Sequence, residues 1–241
     1  MAVNGYLLNG YCAMPSPFAA EIYARQGWDT VTIDMEHGSI GFDGAVAILQ
    51  AITASGVVPL VRIPKVDAAT IGMLLDAGAL GITCAMINTA AEALELVRAC
   101  KYPPRGIRSL SRVTRAALVY GPDYNALANE FTNVFAMIET AEGLANLDDI
   151  TAVDGIDGIY VGSVDLAMSV LGRFPPATGK FLSRWWCRRG LRLQSTIRFG
   201  AEAFHSPARQ HSVLARSFGN GTANALEPRV AFPRRNDPTN R

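Results

Sequence analysis

Short apolar runs alternate with alanine-rich stretches over the first 180 residues of this 241-residue chain. Six runs have the length of buried strands, and they lie at Leu7–Ala13, Thr30–Asp34, Val57–Ile63, Gly81–Ile87, Val134–Ile138 and Gly158–Val161. The stretches between them carry apolar residues at helical spacing, at Phe18–Arg25, Phe42–Ala54, Ala68–Ala77, Ala90–Cys100 and Ala141–Ala152. Apolar strands separated by helices predict a parallel sheet that is buried on both faces.

The number of these repeats favours an α/β barrel. We predict a TIM-type (β/α)8 barrel in which about six βα units are recognisable and the C-terminal quarter is atypical or incomplete. An open doubly wound sheet is the competing fold. That fold usually carries a glycine-rich loop after its first strand, and residues 13–17, Ala-Met-Pro-Ser-Pro, do not form one.

The charge distribution divides the chain into a barrel body at residues 1–180 and an atypical tail at residues 181–241. The tail contains eleven arginines, no lysine and three acidic residues, whereas the body contains eleven basic and eighteen acidic residues. We expect the tail to be poorly ordered, and its composition also resembles a sequence read out of frame. A nucleic-acid-binding arm is an alternative interpretation of its arginines, but we expect no nucleic-acid partner.

The sequence indicates a cytoplasmic protein without a membrane partner. No apolar run approaches the roughly 20 residues that span a bilayer, and the N-terminus lacks a basic segment followed by an apolar one. The four cysteines, Cys12, Cys84, Cys100 and Cys187, are scattered and are expected to be reduced and mostly buried.

Two acidic residues follow consecutive predicted strands, Glu139 after the fifth and Asp165 after the sixth. Functional side chains of a β/α barrel lie at the carboxyl ends of its strands. Two carboxylates, completed by water and substrate oxygens, suit Mg²⁺ or Mn²⁺. The structural alternatives are a helix N-cap for Asp165 and a solvent-facing carboxylate for Glu139.

Three further polar residues end the second and third strands. His37 is a candidate general base, and Asp34, three residues earlier, is expected to orient its imidazole. Arg62 ends an apolar strand, where it is either a structural salt-bridge partner or a donor to a substrate oxyanion. The arginine-rich loop Pro103–Arg112 is either a border of the substrate entrance or a solvated connection.

Several motifs over roughly residues 5–175 resemble the metal-dependent 2-keto-3-deoxy-acid aldolases of the HpcH/HpaI type, which include hydroxy-oxoheptanedioate aldolase and are distantly related to citrate lyase β subunits. The matching stretches are Ile33–His37, Pro59–Arg62, Leu74–Ala79, Tyr102–Gly106, Met137–Thr140 and Gly155–Gly162 with Asp165-Leu166. The resemblance implies a homohexamer that splits a 4-hydroxy-2-oxo acid into pyruvate and an aldehyde.

The same resemblance implies a role for each candidate residue. Glu139 and Asp165 would bind Mg²⁺, Mn²⁺ or Co²⁺, and Arg62 would stabilise the enolate oxygen of the small 2-oxo acid substrate. His37, oriented by Asp34, would move protons through a bound water. Backbone amides around Gly162 and Ser163 would receive the pyruvate carboxylate.

The chain departs from the family pattern in three places. The family's glycine–proline turn is Gly162-Ser163 here, Ala85 replaces an expected proline, and nothing after about Lys180 matches. Two alternatives to the aldolase therefore remain open. One is a lyase for acyl-thioesters of the citrate-lyase or malyl-CoA-lyase kind, and the other is an inactive, truncated barrel.

Overall fold

The computed structural model describes residues 7–173 together with residues 211, 212, 215 and 216. Six parallel strands form the body of the sheet, and each pairs with the next one along the chain. Their bounds are β1 Asn9–Cys12, β2 Thr30–Asp34, β3 Val58–Ile63, β4 Gly81–Cys84, β5 Asn133–Ile138 and β6 Gly158–Val161. The sequential strand order has no reversal point, so the doubly wound alternative is excluded.

The six-stranded sheet is strongly curled. The rings of Tyr11 on β1 and Tyr160 on β6 have centroids 5.9 Å apart. In a flat sheet, five strand spacings would separate β1 from β6 by about 24 Å. The sheet is therefore a partial barrel with an interior face and an outer face, and the complete set of eight βα units is not seen in the described residues.

Nine helices are described, and most lie where the sequence predicts them. Their bounds are α1 Pro17–Ala24, α2 Phe42–Ala54, α3 Ala68–Asp76, α4 Ala90–Cys100, α5 Arg115–Tyr120, α6 Tyr124–Phe131, α7 Ala141–Ala145, α8 Leu147–Thr151 and α9 Ser163–Leu171. The predicted helix over 141–152 is two short helices that meet at Asn146. Helices α5 and α6 were not predicted from the apolar spacing.

The two faces of each strand have different roles. Alternate residues such as Val31, Ile33, Val61 and Ile63 belong to the main apolar core, which the sheet shares with residues of the surrounding helices. The residues between them point to the interior of the curl. On β2 this interior row ends in Asp34. The alternation of the strand therefore places a polar side chain at the carboxyl end of the sheet, which forms the mouth of the curl.

The loop Pro103–Arg112 lies at the amino-terminal end of the sheet, because it belongs to the connection from the end of α4 to the start of β5. Arg108 in this loop is buried, and its Nη2 is 2.6 Å from Asp76 Oδ1 at the end of α3. Most of the other residues of the loop are exposed, so the loop is a largely solvated connection with Arg108 anchored beneath it. It does not border the carboxyl ends of the strands, because the α4–β5 connection must return to the end of the barrel where β5 begins.

Helices α5 and α6 cap the C-terminal end of α3. Side chains of α5 and α6 donate to carbonyl oxygens there: Arg115 to Ala77 at 2.6 Å, Tyr120 to Gly78 at 2.7 Å and Tyr124 to Leu75 at 3.4 Å. The last carbonyls of a helix lack partners within the helix. The unpredicted helices therefore supply side-chain donors to the carbonyl oxygens at the α3–β4 turn.

Two short antiparallel strands, β7 (His211–Ser212) and β8 (Ala215–Arg216), pair with β1 and β6 respectively. The other residues of the predicted tail at 181–241, including Cys187, lie outside the described residues, as do the predictions made for them. Cys12, Cys84 and Cys100 are free and buried, as expected. In the part of the chain that the structure describes, no helix combines the length and the apolar character that crossing a bilayer requires.

The packing of α3 makes a testable prediction. Leu74 is fully buried, whereas its neighbour Met73 is 47% exposed. We expect Leu74→Ala to lower the free energy of unfolding by about 2–5 kcal/mol, because a cavity remains in the core, and Met73→Ala to have a much smaller effect. Urea unfolding followed by circular dichroism measures both variants, and equal losses would contradict the assigned orientation of α3.

Candidate active site

The centre of the candidate site is an ion pair between Asp34 and Arg62, which are direct partners in the register of β2 and β3. Arg62 Nη2 donates to Asp34 Oδ2 at 2.6 Å, and Arg62 Nε donates to Asp34 Oδ1 at 3.0 Å. Both side chains are more than nine-tenths buried. The structure thus forms the salt bridge that was one interpretation of Arg62, and the fork geometry fixes the guanidinium in the interior of the curl.

Asp34 also organises the loop that follows β2. Its Oδ1 accepts from the backbone amides of Glu36 and His37, each at 3.1 Å. Burial alone would raise the pKa of Asp34, but the hydrogen bonds from Arg62 and the His37 amide outweigh burial and hold the pKa below its ordinary value. Asp34 is therefore an ionised anchor for both Arg62 and the loop.

The imidazole of His37 is not oriented by Asp34 as the sequence predicts. Asp34 contacts only the backbone of His37, and within the described residues no ion pair or hydrogen bond joins it to the ring. The side chain of His37 is 67% exposed, and its Nε2 lies 3.9 Å from Glu36 Oε2. The physical reason is that both oxygens of Asp34 are already used by Arg62, whose register position brings it closer.

Two residues that the sequence analysis gave no role surround the guanidinium of Arg62. Glu36 Oε2 lies 3.2 Å from Arg62 Nη1. The ring of Tyr11 lies under Arg62 Cζ, 5.1 Å from centroid to carbon, at a cation–π distance. Burial alone would lower the pKa of Arg62, but Asp34, Tyr11 and Glu36 reverse that effect and raise it.

Glu139 occupies the end of β5 and is 3% exposed, so the solvent-facing interpretation does not hold. Its Oε1 accepts from the backbone amide of Met86 at 2.7 Å. Met86 has a φ of 57°, in the left-handed region that few residues with side chains adopt. The hydrogen bond from this amide fixes the carboxylate of Glu139 from the neighbouring β4–α4 loop.

Asp165 lies in the first turn of α9 and is exposed. Gly162 is the N-cap of this helix, so Asp165 is not the cap. The charge of Asp165 helps to raise the pKa of Glu139, so the two carboxylates lie within electrostatic range of each other. The structure therefore brings both predicted metal ligands to the carboxyl end of neighbouring strands.

Gly162 allows this approach because it has no side chain. A Cβ atom at Gly162 would overlap Glu139 Oε2 and would lie 2.6 Å from Glu139 Cβ. The backbone amide of Gly162 donates to Ile138 O at 3.1 Å. This amide is thus already used by the sheet, and the first amides of α9, beginning with Ser163, are those that the helix itself leaves without partners.

The carboxyl group of Glu139 lies in a buried and negatively charged environment. The pKa of Glu139 is raised, first by burial and then by the charges of Glu36 and Asp165, against the opposing effects of the Met86 amide and Arg62. Among the described residues, no group of three or more His, Cys, Asp or Glu side chains is arranged as a complete metal site. Two carboxylates with open positions for water and substrate oxygens match the donor set that Mg²⁺ or Mn²⁺ uses.

Comparison with known proteins identifies the family. Residues 10–177 match the family described as HpcH/HpaI aldolase/citrate lyase. The chain belongs to this family, and the resemblance predicted from its motifs is confirmed.

The chain is similar to aldolases over its described body. A hydroxypyruvate/pyruvate aldolase of Rhizorhabdus wittichii is 46% identical over 168 residues, which are 70% of this chain and 66% of that protein. A 4-hydroxy-2-oxovalerate aldolase of Novosphingobium aromaticivorans is 40% identical over 161 residues, which are 66% of this chain and 62% of that protein. The matched part of the chain thus spans slightly less than two thirds of the length of these curated relatives.

Solved structures support the same assignment. A HpcH/HpaI aldolase/citrate lyase family protein of Burkholderia cenocepacia has a TM-score of 0.69 and 31% identity, and the match covers 76% of this chain and 74% of that one. The curled parallel sheet of this chain is therefore a portion of the family's fold.

The Asp34–Arg62 pair makes a prediction about stability and pH. We expect Asp34→Asn to lower the free energy of unfolding at pH 7 by about 3–5 kcal/mol, because it leaves the buried guanidinium without its main counter-charge. The pKa of Asp34 is lower in the folded chain than its ordinary value of 3.8. Its contribution is therefore present above pH 3.8 and is lost as the pH falls through the lowered pKa.

The measurement is urea unfolding of the wild type and of Asp34→Asn at several pH values. The difference between them is expected to narrow below pH 3.8, where the carboxyl of the unfolded wild type takes up a proton, and to be lost as the pH falls through the lowered pKa of the folded chain. Asp154→Asn is the control, because Asp154 is 98% exposed and lies 3.7 Å from Arg105 in a loose surface pair. If the difference in the free energy of unfolding stayed constant down to the lowest pH at which both proteins fold, the charge of Asp34 would not be the cause of the lost stability.

Proposed function

We propose that this chain is a divalent-metal-dependent aldolase that reversibly cleaves a 4-hydroxy-2-oxo acid into pyruvate and an aldehyde. The observation that carries the proposal is the pair of carboxylates, Glu139 and Asp165, next to Arg62 at the carboxyl edge of the curled sheet. Support comes from the aldolase names of the relatives, which are 40–46% identical to the chain.

Glu139 and Asp165 are the residues that would hold Mg²⁺, Mn²⁺ or Co²⁺. The raised pKa of Glu139 reflects negative charge from Glu36 and Asp165 added to the effect of burial, and a cation would compensate that charge. When bound there, the ion supplies Lewis-acid polarisation of the 2-oxo group of the substrate. The oxygen donors of the site match the hard cations that this chemistry uses.

Arg62 would stabilise the negative charge that develops on the 2-oxo oxygen as the C3–C4 bond breaks. Its Nε and Nη2 each donate to Asp34, and its Nη1 donates to Met137 Sδ at 3.9 Å and faces Glu36, which leaves one further N–H group on each of Nη1 and Nη2. Because Asp34 fixes the plane of the guanidinium, these remaining donors are preorganised. Preorganised donors need no rearrangement when charge develops.

His37 would remove the proton from the 4-hydroxyl group through a bound water as the C3–C4 bond breaks, and this proton would then be delivered to C3 of the enolate to give pyruvate. Its side chain is exposed at the mouth, where a water and a small 2-oxo acid have access. The carboxylate of the substrate would be received by the first amides of α9, beginning with Ser163, where the helix dipole favours an anion. The amide of Gly162 would not bind the substrate, because it already donates to Ile138 O. Gly162 would instead leave room beside Glu139, because it has no side chain.

The test is release of pyruvate from 4-hydroxy-2-oxo acids by chelator-treated protein with and without added Mn²⁺. We expect activity only with the metal, and a loss in kcat/KM of about 10²–10³-fold in Glu139→Gln and in Asp165→Asn, because metal polarisation contributes several kcal/mol. Glu142→Gln is the matched control, since Glu142 is an exposed carboxylate in the first turn of α7, the helix that follows Glu139. Turnover that survives chelation would contradict the metal role.

The same experiment distinguishes the two alternatives. Activity with coenzyme A esters and none with free 2-oxo acids would identify an acyl-thioester lyase. An inactive barrel would show neither activity, and its melting temperature would not rise with Mn²⁺ plus pyruvate, whereas a competent site is stabilised by its ligands. The homohexamer and the poor ordering of the tail at residues 181–241 stay predictions.

A further inference from the structure

We propose that Glu36 is a positioning residue that links the electrophile Arg62 to the proton-transferring His37. Its Oε2 lies 3.2 Å from Arg62 Nη1 and 3.9 Å from His37 Nε2. Within the described residues, it is the side chain that forms ion-pair contacts with both groups. The inference deepens the proposed function, and it rests on that function for its activity readout.

The hydrogen-bond pattern leaves this role to Glu36. Asp34, the residue expected to orient the imidazole, accepts at Oδ1 from Arg62 Nε and from the amides of Glu36 and His37, and accepts at Oδ2 from Arg62 Nη2. None of these four hydrogen bonds comes from the imidazole of His37. Glu36 Oε2, in contrast, is buried and accepts no hydrogen bond among the described residues, so it retains acceptor capacity.

The burial of Glu36 explains why it can act on both neighbours. Its side chain is 14% exposed, against 9% for Arg62 and 67% for His37. The carboxylate thus spans the boundary between the buried guanidinium and the open imidazole. A charge in this position is screened less by solvent than a surface charge would be.

The chemistry of the reaction requires such a link. The proton on the 4-hydroxyl group and the charge on the 2-oxo oxygen change in the same bond cleavage, so the two groups that handle them need a fixed separation. A misplacement of about 1 Å in such a pair costs about 10²-fold in rate. Glu36 fixes the position of Arg62 Nη1 from the loop that carries His37, whereas Asp34 fixes the opposite edge of the guanidinium.

The activity test compares Glu36→Gln, which keeps the size and removes the charge, with Glu36→Asp, which keeps the charge and shortens the reach. We expect both variants to lose about 10–100-fold in kcat, by analogy with the losses found for outer-shell partners in metal sites, while KM for the 2-oxo acid changes less than about twofold. Glu142→Gln is again the control. Wild-type kcat in either Glu36 variant would overturn the proposal.

A second readout does not depend on activity. The chain has three histidines, so His37→Asn identifies the ¹⁵N signal of the His37 imidazole. We expect this signal to move in folded Glu36→Gln and Glu36→Asp at constant pH, and to stay in place in Glu142→Gln. An unmoved signal in the Glu36 variants would overturn the proposal even if the wild type is an aldolase. A moved signal in a chain that releases no pyruvate would contradict the proposed function alone.

Discussion

The ion pair between Asp34 and Arg62 is the interaction on which the site depends. A buried guanidinium is tolerated only with good geometry and a full counter-charge, and here the register of β2 and β3 supplies both. The same carboxylate binds the amides that begin the next loop. One pair thus connects the sheet, the loop that carries Glu36 and His37, and the buried guanidinium of Arg62.

The rest of the site is an excess of negative charge placed around that donor. Glu36 contacts the guanidinium of Arg62, and the pKa of Glu139 is raised first by burial and then by the charges of Glu36 and Asp165. Such a clustering of like charges is unfavourable for the fold alone, as is common where stability yields to function. The mouth of the partial barrel therefore contains more charged side chains than the packing of the core alone would require.

Much of this architecture could be predicted from the sequence, because local patterns encode it. Alternation on β2 places Asp34 at the strand end, and the apolar spacing gives the bounds of α2 and α4 as observed. Contacts that depend on register could not be predicted in this way. Proximity in sequence favoured Asp34 as the partner of the His37 imidazole. Strand pairing instead places Asp34 beside Arg62, with which it forms an ion pair. The role of Glu36 and the capping of α3 by α5 and α6 also depend on tertiary contacts, although the interior row of β1 could have indicated Tyr11.

The left-handed backbone of Met86 limits how this position can diverge among related proteins. Its amide must remain a donor to Glu139, so proline is excluded there. Valine or isoleucine would add the steric cost of a branched Cβ at a φ of 57°, whereas glycine or asparagine would adopt that conformation with less strain. The range of residues acceptable beside the carboxylate is thus set by the main chain, and the thioether of Met86 is replaceable.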